Sequence, residues 1–469
     1  MIRRILSSVV SCGLAVALLA APAAGQSRTA AKSGGASATV RATLPNGLRV
    51  VIVPSSRLPL VDLRLVARAG SVQDPKGREG LARLTADLLT QGAGPRGAQE
   101  LAEAIEFVGG ELSATAGAEQ LTVSCEVLAK DLPLGLELFR DVVVSPSFAA
   151  EEFARKKDET LGAIASAKSE PSVVAENALA HWFWGEGSPL AHPAIGWESG
   201  LSAVTRDDVL DFHRRFVTPE RSVLVVVGAV EPRALLVSLR RAFAGWKPGG
   251  PVPAAEPYGP ASPTPGLSIR VVDKPEQTQS QIRMICPSVP RGHPDWYAIQ
   301  VANTILGAGF TSRLVNSIRV EQGLTYNISS RFQTYRAAGA FRIQTFTRNE
   351  KLRKCVDAVL AEVTKLVEEG PTTAEHDKAR NYLRGQFPLG LQSPDELAGE
   401  IADVEFFGLP QDFIALYPDR IAAVSLDDVR RVLRTHFCTK DLRLLVVTNG
   451  ALAAKELEGL GPIEVKAID

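Results

Sequence analysis

Residues 74–92 read DPKGREGLARLTADLLTQG, and this stretch decides how the rest of the chain is interpreted. Its first four residues include an aspartate, a proline and a glycine, which are all turn formers. After them Leu81, Leu84 and Leu88 recur at three- and four-residue steps. This spacing places the leucines on one face of a helix, so we expect a turn followed by an amphipathic helix.

Another face of this helix carries Arg83, Ala86 and Asp87. Side chains four residues apart on a helix point the same way, which is how two histidines can reach one zinc ion. Here the pair is Arg83 and Asp87, and Ala86 stands where a general base could have stood. The helix therefore has the layout of a metal site without its ligands.

The start of the chain is typical of an exported protein. Residues 1–24 combine a basic beginning, an apolar run and small residues, as in a cleaved signal peptide. The apolar run is too short for a membrane anchor. Residues 25–40 are rich in Ala, Ser and Gly, and we expect a flexible tether there. The predicted location is the periplasm, with no membrane span once the signal is removed.

Composition narrows the class of protein further. The chain has 469 residues, of which 45% are hydrophobic and 22% charged, as in a globular protein with a real core. Its formal net charge is zero. Nothing in this balance favours binding to nucleic acid or to an anionic membrane.

Cysteines and histidines are few and widely spaced. Cys125, Cys286, Cys355 and Cys438 form neither a disulfide framework nor a CxxC zinc pattern, so we expect buried free thiols. The histidines are equally scattered, and we expect packed or surface residues rather than ligands. They are His181, His192, His213, His293, His376 and His436.

Two segments of the chain repeat one another. Residues 201–230 read LSAVTRDDVLDFHRRFVTPERSVLVVVGAV, residues 421–450 read IAAVSLDDVRRVLRTHFCTKDLRLLVVTNG, and the two align without gaps at a shift of 220. Each predicts a helix capped by Thr205 or Ser425 and followed by a strand rich in Val and Leu. We infer that the chain contains two homologous halves.

The boundaries of these halves follow from pattern and composition. Strands are predicted at 60–67 and at 279–286, in each case ahead of a helix, and the first of them alternates like a half-buried strand. Residues 249–267 are rich in Pro, Gly and Ala and form the predicted linker. The halves then span 41–248 and 268–469, and each mixes helices with strands, which predicts an α+β fold.

Several segments match one family in the right order. They are residues 44–51 (LPNGLRVV), 69–82, 98–112 and 188–196. With them the chain resembles the pitrilysin/insulinase-type zinc peptidases (family M16), in particular the smaller bacterial and mitochondrial-processing-peptidase-like members. This resemblance covers nearly all of the chain after the tether. It implies a LuxS-like metallopeptidase fold, in which each half is a mixed, mostly antiparallel sheet packed with helices and the two halves form one side of a clamshell.

The resemblance also locates the missing zinc site. Catalytic members carry H-x-x-E-H on the first helix and a glutamate ligand further along. This chain has Arg83, Ala86 and Asp87 at the positions of that motif and Ala163 at the position of the glutamate. The resemblance therefore implies that this chain binds no metal and no cofactor. A rescue by Asp87 and Glu159 would have to overcome the positive charge of Arg83.

A second family motif is kept. Residues 312–326 read SRLVNSIRVEQGLTY and resemble the family's arginine/tyrosine motif, with an Arg on a helix and a Tyr at the start of a strand. In family members this pair faces the zinc site across a chamber. Tyr326 would donate to the oxyanion, and Arg319 would bind main-chain oxygen of the substrate. The alternative is that Arg319 pairs with Glu321 nearby and Tyr326 is an ordinary strand aromatic.

These two observations together predict the function. In two-subunit members of the family, one chain brings H-x-x-E-H and the other brings the arginine and tyrosine. We expect this chain to be inactive alone and to form an exported heterodimer with an H-x-x-E-H-bearing paralogue that holds the zinc and degrades unfolded peptides. The alternatives are a structural protein of the same fold and a peptide-binding homodimer that does not cleave.

The turn at Gly307 and Gly309 stands at the place of a glycine-rich loop of the family. It predicts either the end of a helix or a loop that faces the substrate. It lacks the G-x-G-x-x-G spacing and the preceding strand of a dinucleotide site, so we expect no nucleotide.

Overall fold

A computed structural model of the chain describes residues 39–250, 258–259 and 265–467. The predicted signal peptide at 1–24 lies outside these residues, as do nearly all of the predicted tether and most of the predicted linker. Within the described part of the chain, no helix combines the length and the apolar character that a membrane span needs.

The first half forms one six-stranded sheet, in the order β1-β2-β6-β3-β5-β4. Only β2 and β6 run parallel, and the other neighbours are antiparallel. In chain order the elements are β1 (Val40–Thr43), β2 (Arg49–Pro54), β3 (Leu60–Ala67), α1 (Leu81–Leu89), α2 (Ala98–Phe107), β4 (Glu111–Ala116), β5 (Leu121–Leu128), α3 (Leu132–Val144), α4 (Ala150–Ala167), α5 (Pro171–Trp184), α6 (Glu198–Ala203), α7 (Arg206–Phe216), β6 (Ser222–Gly228) and α8 (Pro232–Ala242).

The second half forms another six-stranded sheet, in the order β12-β7-β11-β8-β10-β9. Two π-helical stretches, Thr304–Ala308 and Val315–Glu321, follow its first helix. In chain order the other elements are β7 (Leu267–Asp273), β8 (Gln279–Ser288), α9 (Trp296–Asn303), β9 (Ile328–Thr334), β10 (Gly339–Arg348), α10 (Leu352–Glu369), α11 (Thr373–Gln386), α12 (Pro394–Phe407), α13 (Phe413–Ala423), α14 (Leu426–His436), β11 (Leu442–Thr448), α15 (Gly450–Glu456) and β12 (Ile463–Ala467).

The two sheets share one strand order, which confirms the predicted fold of two homologous halves. β2, β6, β3, β5 and β4 correspond in place to β7, β11, β8, β10 and β9. The sixth strand differs, because β1 comes from the start of the chain and is antiparallel to β2, whereas β12 comes from its end and is parallel to β7. Each sheet is therefore mixed and mostly antiparallel, as expected.

The internal repeat has the predicted local structure. The side chain of Thr205 accepts a hydrogen bond from the backbone N–H of Asp208, and Ser425 does the same with Asp428. In both cases the aspartate also accepts from the backbone N–H of the cap, which completes a capping box. The strands after these helices, β6 and β11, are almost entirely buried.

Each sheet packs one face against helices of its own half. In the first half that face is covered by α1, α3, α7 and α8, and in the second half by helices that include α9, α10, α13 and α14. The apolar spacing of α1 serves this purpose, since Leu81, Leu84 and Leu88 all belong to the core of the first half. The predicted turn and helix at 74–92 are thus confirmed.

The opposite face of each sheet is covered by a helix from the other half. Helix α5 places Val174, Leu179 and Phe183 on the second sheet. Helix α12 places Ile401 and Phe406 on the first sheet. We call α5 and α12 the exchanged helices. They occupy equivalent places in the two halves, because each lies on the face of a sheet that the helices of its own half leave open.

Ion pairs accompany both exchanged helices. Glu176 of α5 accepts hydrogen bonds from Arg283 of β8, at 2.6 Å, and from Arg342 of β10. Charge-assisted bonds of this kind hold a helix at a fixed place on a sheet. On the other sheet, Arg64 of β3 pairs with Asp395 of α12.

Helix α12 also explains why one prediction about β3 was wrong. The alternation of residues 60–67 predicted a half-buried strand. Leu63 and Leu65 lie on the buried face that it predicts, but Asp62 and Val66 on the opposite face are buried as well. Val66 lies on the face that α12 covers, together with strand residues of β2 and β6. The sequence around β3 contains no sign of this cover, since α12 begins more than 300 residues later.

The prediction of free thiols was wrong for two cysteines. Cys286 of β8 and Cys438, two residues after α14, form a disulfide, with their Cα atoms 6.4 Å apart. Although 152 residues separate them in sequence, β8 and the end of α14 lie side by side. Cys125 and Cys355 are free and buried, as expected. Burial raises the pKa of each thiol to about 12, so neither is reactive at neutral pH.

Candidate functional site

Helix α1 begins at a backbone turn that Asp74 closes. The carboxylate of Asp74 accepts hydrogen bonds from the backbone N–H groups of Gly80, at 2.7 Å, and Ala82, at 2.8 Å. These are donors that the first turn of a helix leaves unsatisfied. Gly80 has a φ of 105°, which only glycine adopts easily. The turn formers in the sequence thus fix the residue at which α1 starts. The four-residue spacing of Arg83 and Asp87 then places them on the same face of the helix.

Arg83 and Asp87 bind each other on that face of α1. The Nε of Arg83 donates to Oδ1 of Asp87 at 2.9 Å and to Oδ2 at 3.0 Å. Burial raises the pKa of Asp87, and the charges of Arg83 and Lys156 partly oppose this effect. Ala86, between them in sequence, is fully buried. An ion pair therefore occupies the two positions that were predicted to correspond to the histidines of the catalytic motif.

The remaining predicted position of the missing site lies on α4. Ala163, predicted to stand at the place of the glutamate ligand, is exposed. Glu159, one turn earlier, binds Lys156 at 3.0 Å and also Arg155. Asp87 and Glu159, the carboxylates considered for a rescued metal site, are thus each neutralised by basic side chains.

Arg319 and Tyr326 lie together in the second half. The guanidinium carbon of Arg319 is 5.1 Å from the centre of the Tyr326 ring, within the range of a cation–π contact. Arg319 belongs to the π-helical stretch Val315–Glu321, and Tyr326 precedes β9 by two residues rather than beginning it. Short π-helical stretches often occur at functional sites, because they re-aim side chains within a helix.

Within the described part of the chain, the hydrogen-bonding groups of this pair bond to no other side chain. Among the described residues, nothing forms a hydrogen bond or an ion pair with the side chain of Arg319 or with the hydroxyl of Tyr326, and Glu321 does not pair with Arg319. The Tyr326 side chain is 76% exposed. Both groups can therefore donate hydrogen bonds to a ligand without breaking an existing one.

The glycine turn before this motif has a structural role at one residue. A Cβ atom on Gly307 would lie 2.5 Å from Oγ of Ser330 on β9, so no larger residue fits. A Cβ atom on Gly309 would make only ordinary contacts, 3.6 Å from the carbonyl oxygen of Thr304, and Phe310 beside it is 87% exposed. Gly307 thus lets the π-helical stretch Thr304–Ala308 approach β9 closely, and the Phe310 ring that follows it is exposed to solvent.

Apolar exposure concentrates around the same motif. Three of the four most exposed large apolar side chains of the described residues lie between 310 and 326, namely Phe310 (87%), Tyr326 (76%) and Val320 (69%). The fourth is Phe107, at 90%, in the first half. Concentrated apolar exposure marks a surface that meets a ligand or another protein.

A group of polar residues that the sequence patterns did not bring together lies elsewhere in the second half. His293, Asp295 and His436 each place one possible ligand atom within 4.8 Å of the others. The two histidines are 143 residues apart in sequence and have no motif spacing. The repeat could have indicated only that His436 ends a helix. His293 and Asp295 lie in the loop before α9, which the repeat does not include.

Comparison with known protein families gives matches in both halves. A model of the insulinase family (peptidase family M16) matches residues 49–194, and a model described as the peptidase M16 inactive domain matches residues 203–383.

Individual relatives extend over most of the chain. An uncharacterized zinc protease of Mycobacterium leprae is 30% identical over 371 residues, which are 78% of this chain and 81% of the relative. A non-peptidase homolog, YmxG, of Helicobacter pylori is 25% identical over 401 residues, which are 85% of this chain and 91% of the relative.

Solved structures share the fold. The crystal structure of a peptidase M16 inactive domain from Pseudomonas fluorescens superposes with a TM-score of 0.82 at 25% identity, covering 87% of this chain and 98% of that one. A protease from Helicobacter pylori gives a TM-score of 0.81 at 20% identity and shows the fold alone. With its two matching halves, its shared strand order and its relatives over most of its length, the chain belongs to the pitrilysin/insulinase family of peptidases, family M16.

Proposed function

We propose that this chain is the non-zinc-binding subunit of an exported, heterodimeric zinc metallopeptidase that degrades peptides. The partner is an H-x-x-E-H-bearing member of the same family, which holds the catalytic zinc. This chain supplies Arg319 and Tyr326. The observation that carries the proposal is the contrast between two pairs: Arg83 and Asp87 satisfy each other, while Arg319 and Tyr326 keep their donors free.

In the proposed reaction, the zinc held by the partner would supply an activated water for attack on the peptide carbonyl. The Tyr326 hydroxyl then donates a hydrogen bond to the oxyanion that forms, and the Arg319 guanidinium holds main-chain oxygen of the substrate. One donor aimed at an oxyanion contributes about 3 kcal/mol to the transition state. The planar fork of an arginine suits two carbonyl contacts better than a lysine does.

Two further observations support assembly and export. The exposed side chains Phe310, Val320 and Tyr326 give the motif an apolar surround that a partner or a peptide can cover. The Cys286–Cys438 disulfide is of a kind that persists in oxidising compartments and is rare in the cytosol. This fits the signal-like sequence at 1–24 and a periplasmic location.

A second candidate is a catalytically inactive protein of the same fold that binds peptides or serves a structural role. The description of one matching model as an inactive domain favours it, as does the name of the Helicobacter pylori relative. Arg319 and Tyr326 would then hold a peptide without supporting its cleavage.

One experiment separates the candidates. Peptide cleavage is measured with this chain alone, with an H-x-x-E-H protein encoded beside it, and with an equimolar mixture, each with and without a zinc chelator. Zinc-dependent cleavage in the mixture at many times the rate of either part establishes the complementing subunit. Peptide binding without cleavage in any sample favours the second candidate, and cleavage by this chain alone contradicts both.

A further inference from the structure

His293, Asp295 and His436 converge at one point of the second half. Their possible ligand atoms all lie within 4.8 Å of one another. The rings of His293 and His436 meet edge to face, with centroids 5.3 Å apart. The side chains of His436 and Asp295 are only 11% and 16% exposed. The group is therefore a partly enclosed cluster rather than a chance meeting of surface side chains.

The fold fixes the position of each member. His293 lies in a tight turn, in which its N–H bonds to the carbonyl of Pro290 and its carbonyl accepts from the N–H of Trp296. Asp295 directly precedes α9, and His436 is the last residue of α14. The disulfide of Cys438 with Cys286 ties the chain just after His436 to β8. Preorganised donors lose little freedom when they bind an ion.

Without an ion, the cluster is satisfied by protons and by one arginine. Arg431 donates to both oxygens of Asp295, at 2.7 and 2.9 Å, and Nε2 of His436 lies 2.8 Å from Oδ2. Nδ1 of His293 accepts the backbone N–H of Asp295 at 3.1 Å. Because the Arg431 side chain is 50% exposed, it can leave Asp295 for solvent at a small cost.

One pair of donor atoms already has nearly the separation that a bound ion requires. Donor atoms about 2.1 Å from a tetrahedral zinc are about 3.4 Å from each other. The present separation of 2.8 Å between Nε2 of His436 and Oδ2 of Asp295 must therefore open by roughly half an ångström. For the ion to bind, the proton of His436 moves to the other ring nitrogen or to solvent, and the positive charge of the ion replaces that of Arg431.

We propose that His293, Asp295 and His436 form a binding site for a divalent transition-metal ion, zinc above all. Two imidazoles and one carboxylate are a donor set for Zn²⁺, Co²⁺ or Ni²⁺, and they offer too few oxygens for Ca²⁺ or Mg²⁺. The site is separate from Arg83 and Asp87, which lie on α1 of the other half. This proposal departs from the sequence-based expectation that the chain binds no metal, and the titration below decides between the two.

Arg431 makes the affinity of this site adjustable. It competes with the ion for Asp295, so removing its charge strengthens metal binding. Arg434 lies three residues further along the same helix, is exposed and has no ion pair among the described residues. Replacing Arg434 removes the same charge without touching Asp295, which makes it the matched control.

The test uses the purified chain without a polyhistidine tag, stripped by a chelator, and titrated with Zn²⁺ by calorimetry and with Co²⁺ by visible absorption. We expect one ion per chain and a Co²⁺ spectrum of low coordination number. His293→Ala and His436→Ala each weaken binding by about tenfold or more, since each removes a ligand. His181→Ala, which changes an exposed histidine outside the cluster, leaves binding unchanged. Arg431→Gln strengthens binding, and Arg434→Gln does not.

Metal binding by a few variants decides whether the site exists. If a histidine variant fails to fold, as judged by near-ultraviolet circular dichroism, Asp295→Asn and the arginine pair carry the test, because they retain side-chain size or lie at the surface. Saturable binding that Asp295→Asn weakens and Arg431→Gln strengthens supports the site. No saturable binding by the wild type and Arg431→Gln, or binding that survives loss of both histidines, overturns it. The partner subunit is absent throughout, so the result is independent of the proposed peptidase.

Discussion

Two pairs of side chains, one in each half of this protein, differ in how they use their polar groups. Arg83 and Asp87 neutralise each other on α1, whereas Arg319 and Tyr326 stack in a way that sets their positions and leaves their hydrogen-bond donors unused. A cation–π contact at an exposed site is worth about 0.5–1 kcal/mol, so it orients the pair without locking it against a ligand.

The oxyanion role of Tyr326 can be tested by removing one oxygen. Tyr326→Phe keeps the ring under Arg319 and removes the donor, so we expect about a hundredfold loss in kcat of the reconstituted pair with little change in assembly. Turnover is measured under saturating peptide, and assembly by size-exclusion chromatography. Tyr382→Phe, at another exposed tyrosine, is the control. Unchanged turnover in Tyr326→Phe would assign the oxyanion contact to another group.

The carboxylate of Glu375 should make the stability of the protein depend on pH. It accepts from Arg313 at 2.7 and 2.9 Å and from the cap residue Thr372, and these bonds, that of Arg313 first, lower its pKa from 4.5 to about 2. A carboxyl with a lowered pKa in the folded state stabilises the fold above pH 4.5, and this contribution is lost as the pH falls to about 2.

Because the pKa of Glu375 is lowered in the folded state, replacing this residue should change how stability depends on pH. Glu375→Gln lowers the thermal midpoint at pH 7, and its midpoint falls less steeply than that of the wild type between pH 4.5 and pH 2. The measurement is thermal unfolding at a series of pH values. Glu368→Gln, an exposed change of the same charge on α10, should leave both the midpoint and its slope as in the wild type. Parallel curves for Glu375→Gln and the wild type would contradict the assignment.

Among the helices and strands, those with start signals in their own sequence were predicted correctly, whereas features that depend on contacts between distant elements were not. The capping boxes at Thr205 and Ser425 lie within a few residues of the helices they start, so the repeat predicted both helices. The burial of β3, the disulfide of Cys286 and the meeting of His293 with His436 all depend on elements brought together by the tertiary fold. The π-helical turn that carries Arg319 likewise had no signal in the sequence.

The disulfide between β8 and the end of α14 should contribute strongly to stability. It closes a loop of 152 residues, and loop-closure entropy for such a length predicts about 5 kcal/mol. We expect Cys286→Ala combined with Cys438→Ala to lower the thermal midpoint, and a reductant to lower that of the wild type by a similar amount. The reductant should have no further effect on the double variant, because Cys125 and Cys355 carry no disulfide. Equal midpoints for the oxidised wild type and the double variant would refute this.

At the scale of the whole molecule, the sequence predicted two homologous α+β halves, and the shared strand order confirms them. The repeat was sufficient for this, because it is gap-free over a helix and a strand. It could not predict the exchanged helices, since the apolar faces of α5 and α12 look the same in sequence whether they cover their own sheet or the other one. The placement of a lost zinc motif at Arg83, Ala86 and Asp87 stays a prediction, which the sequence could make because the family motif is local to α1. The histidine cluster has no such local motif and could not be predicted.

Cutting the chain between its halves tests the exchange. A protease site placed within 260–264 would give two fragments that we expect to elute together, because α5 and α12 each bury apolar side chains on the sheet of the other fragment. Size-exclusion chromatography and thermal unfolding compare cut and uncut protein. Phe183→Ala combined with Phe406→Ala, which removes one large contact from each exchanged helix, should let the cut fragments separate. Fragments that separate without these changes would contradict the exchange.

The exchange of helices also dictates the order in which this protein can finish folding as it is made. The nascent chain completes α5 at residue 184, but the last strand under it, β11, ends at residue 448. At typical rates of synthesis this is a delay of about 15–50 s, during which an apolar helix and the open face of the first sheet have nothing to cover them. An export route that keeps the chain unfolded until it has crossed the membrane avoids that interval, and a truncated first half would be a lasting client for chaperones.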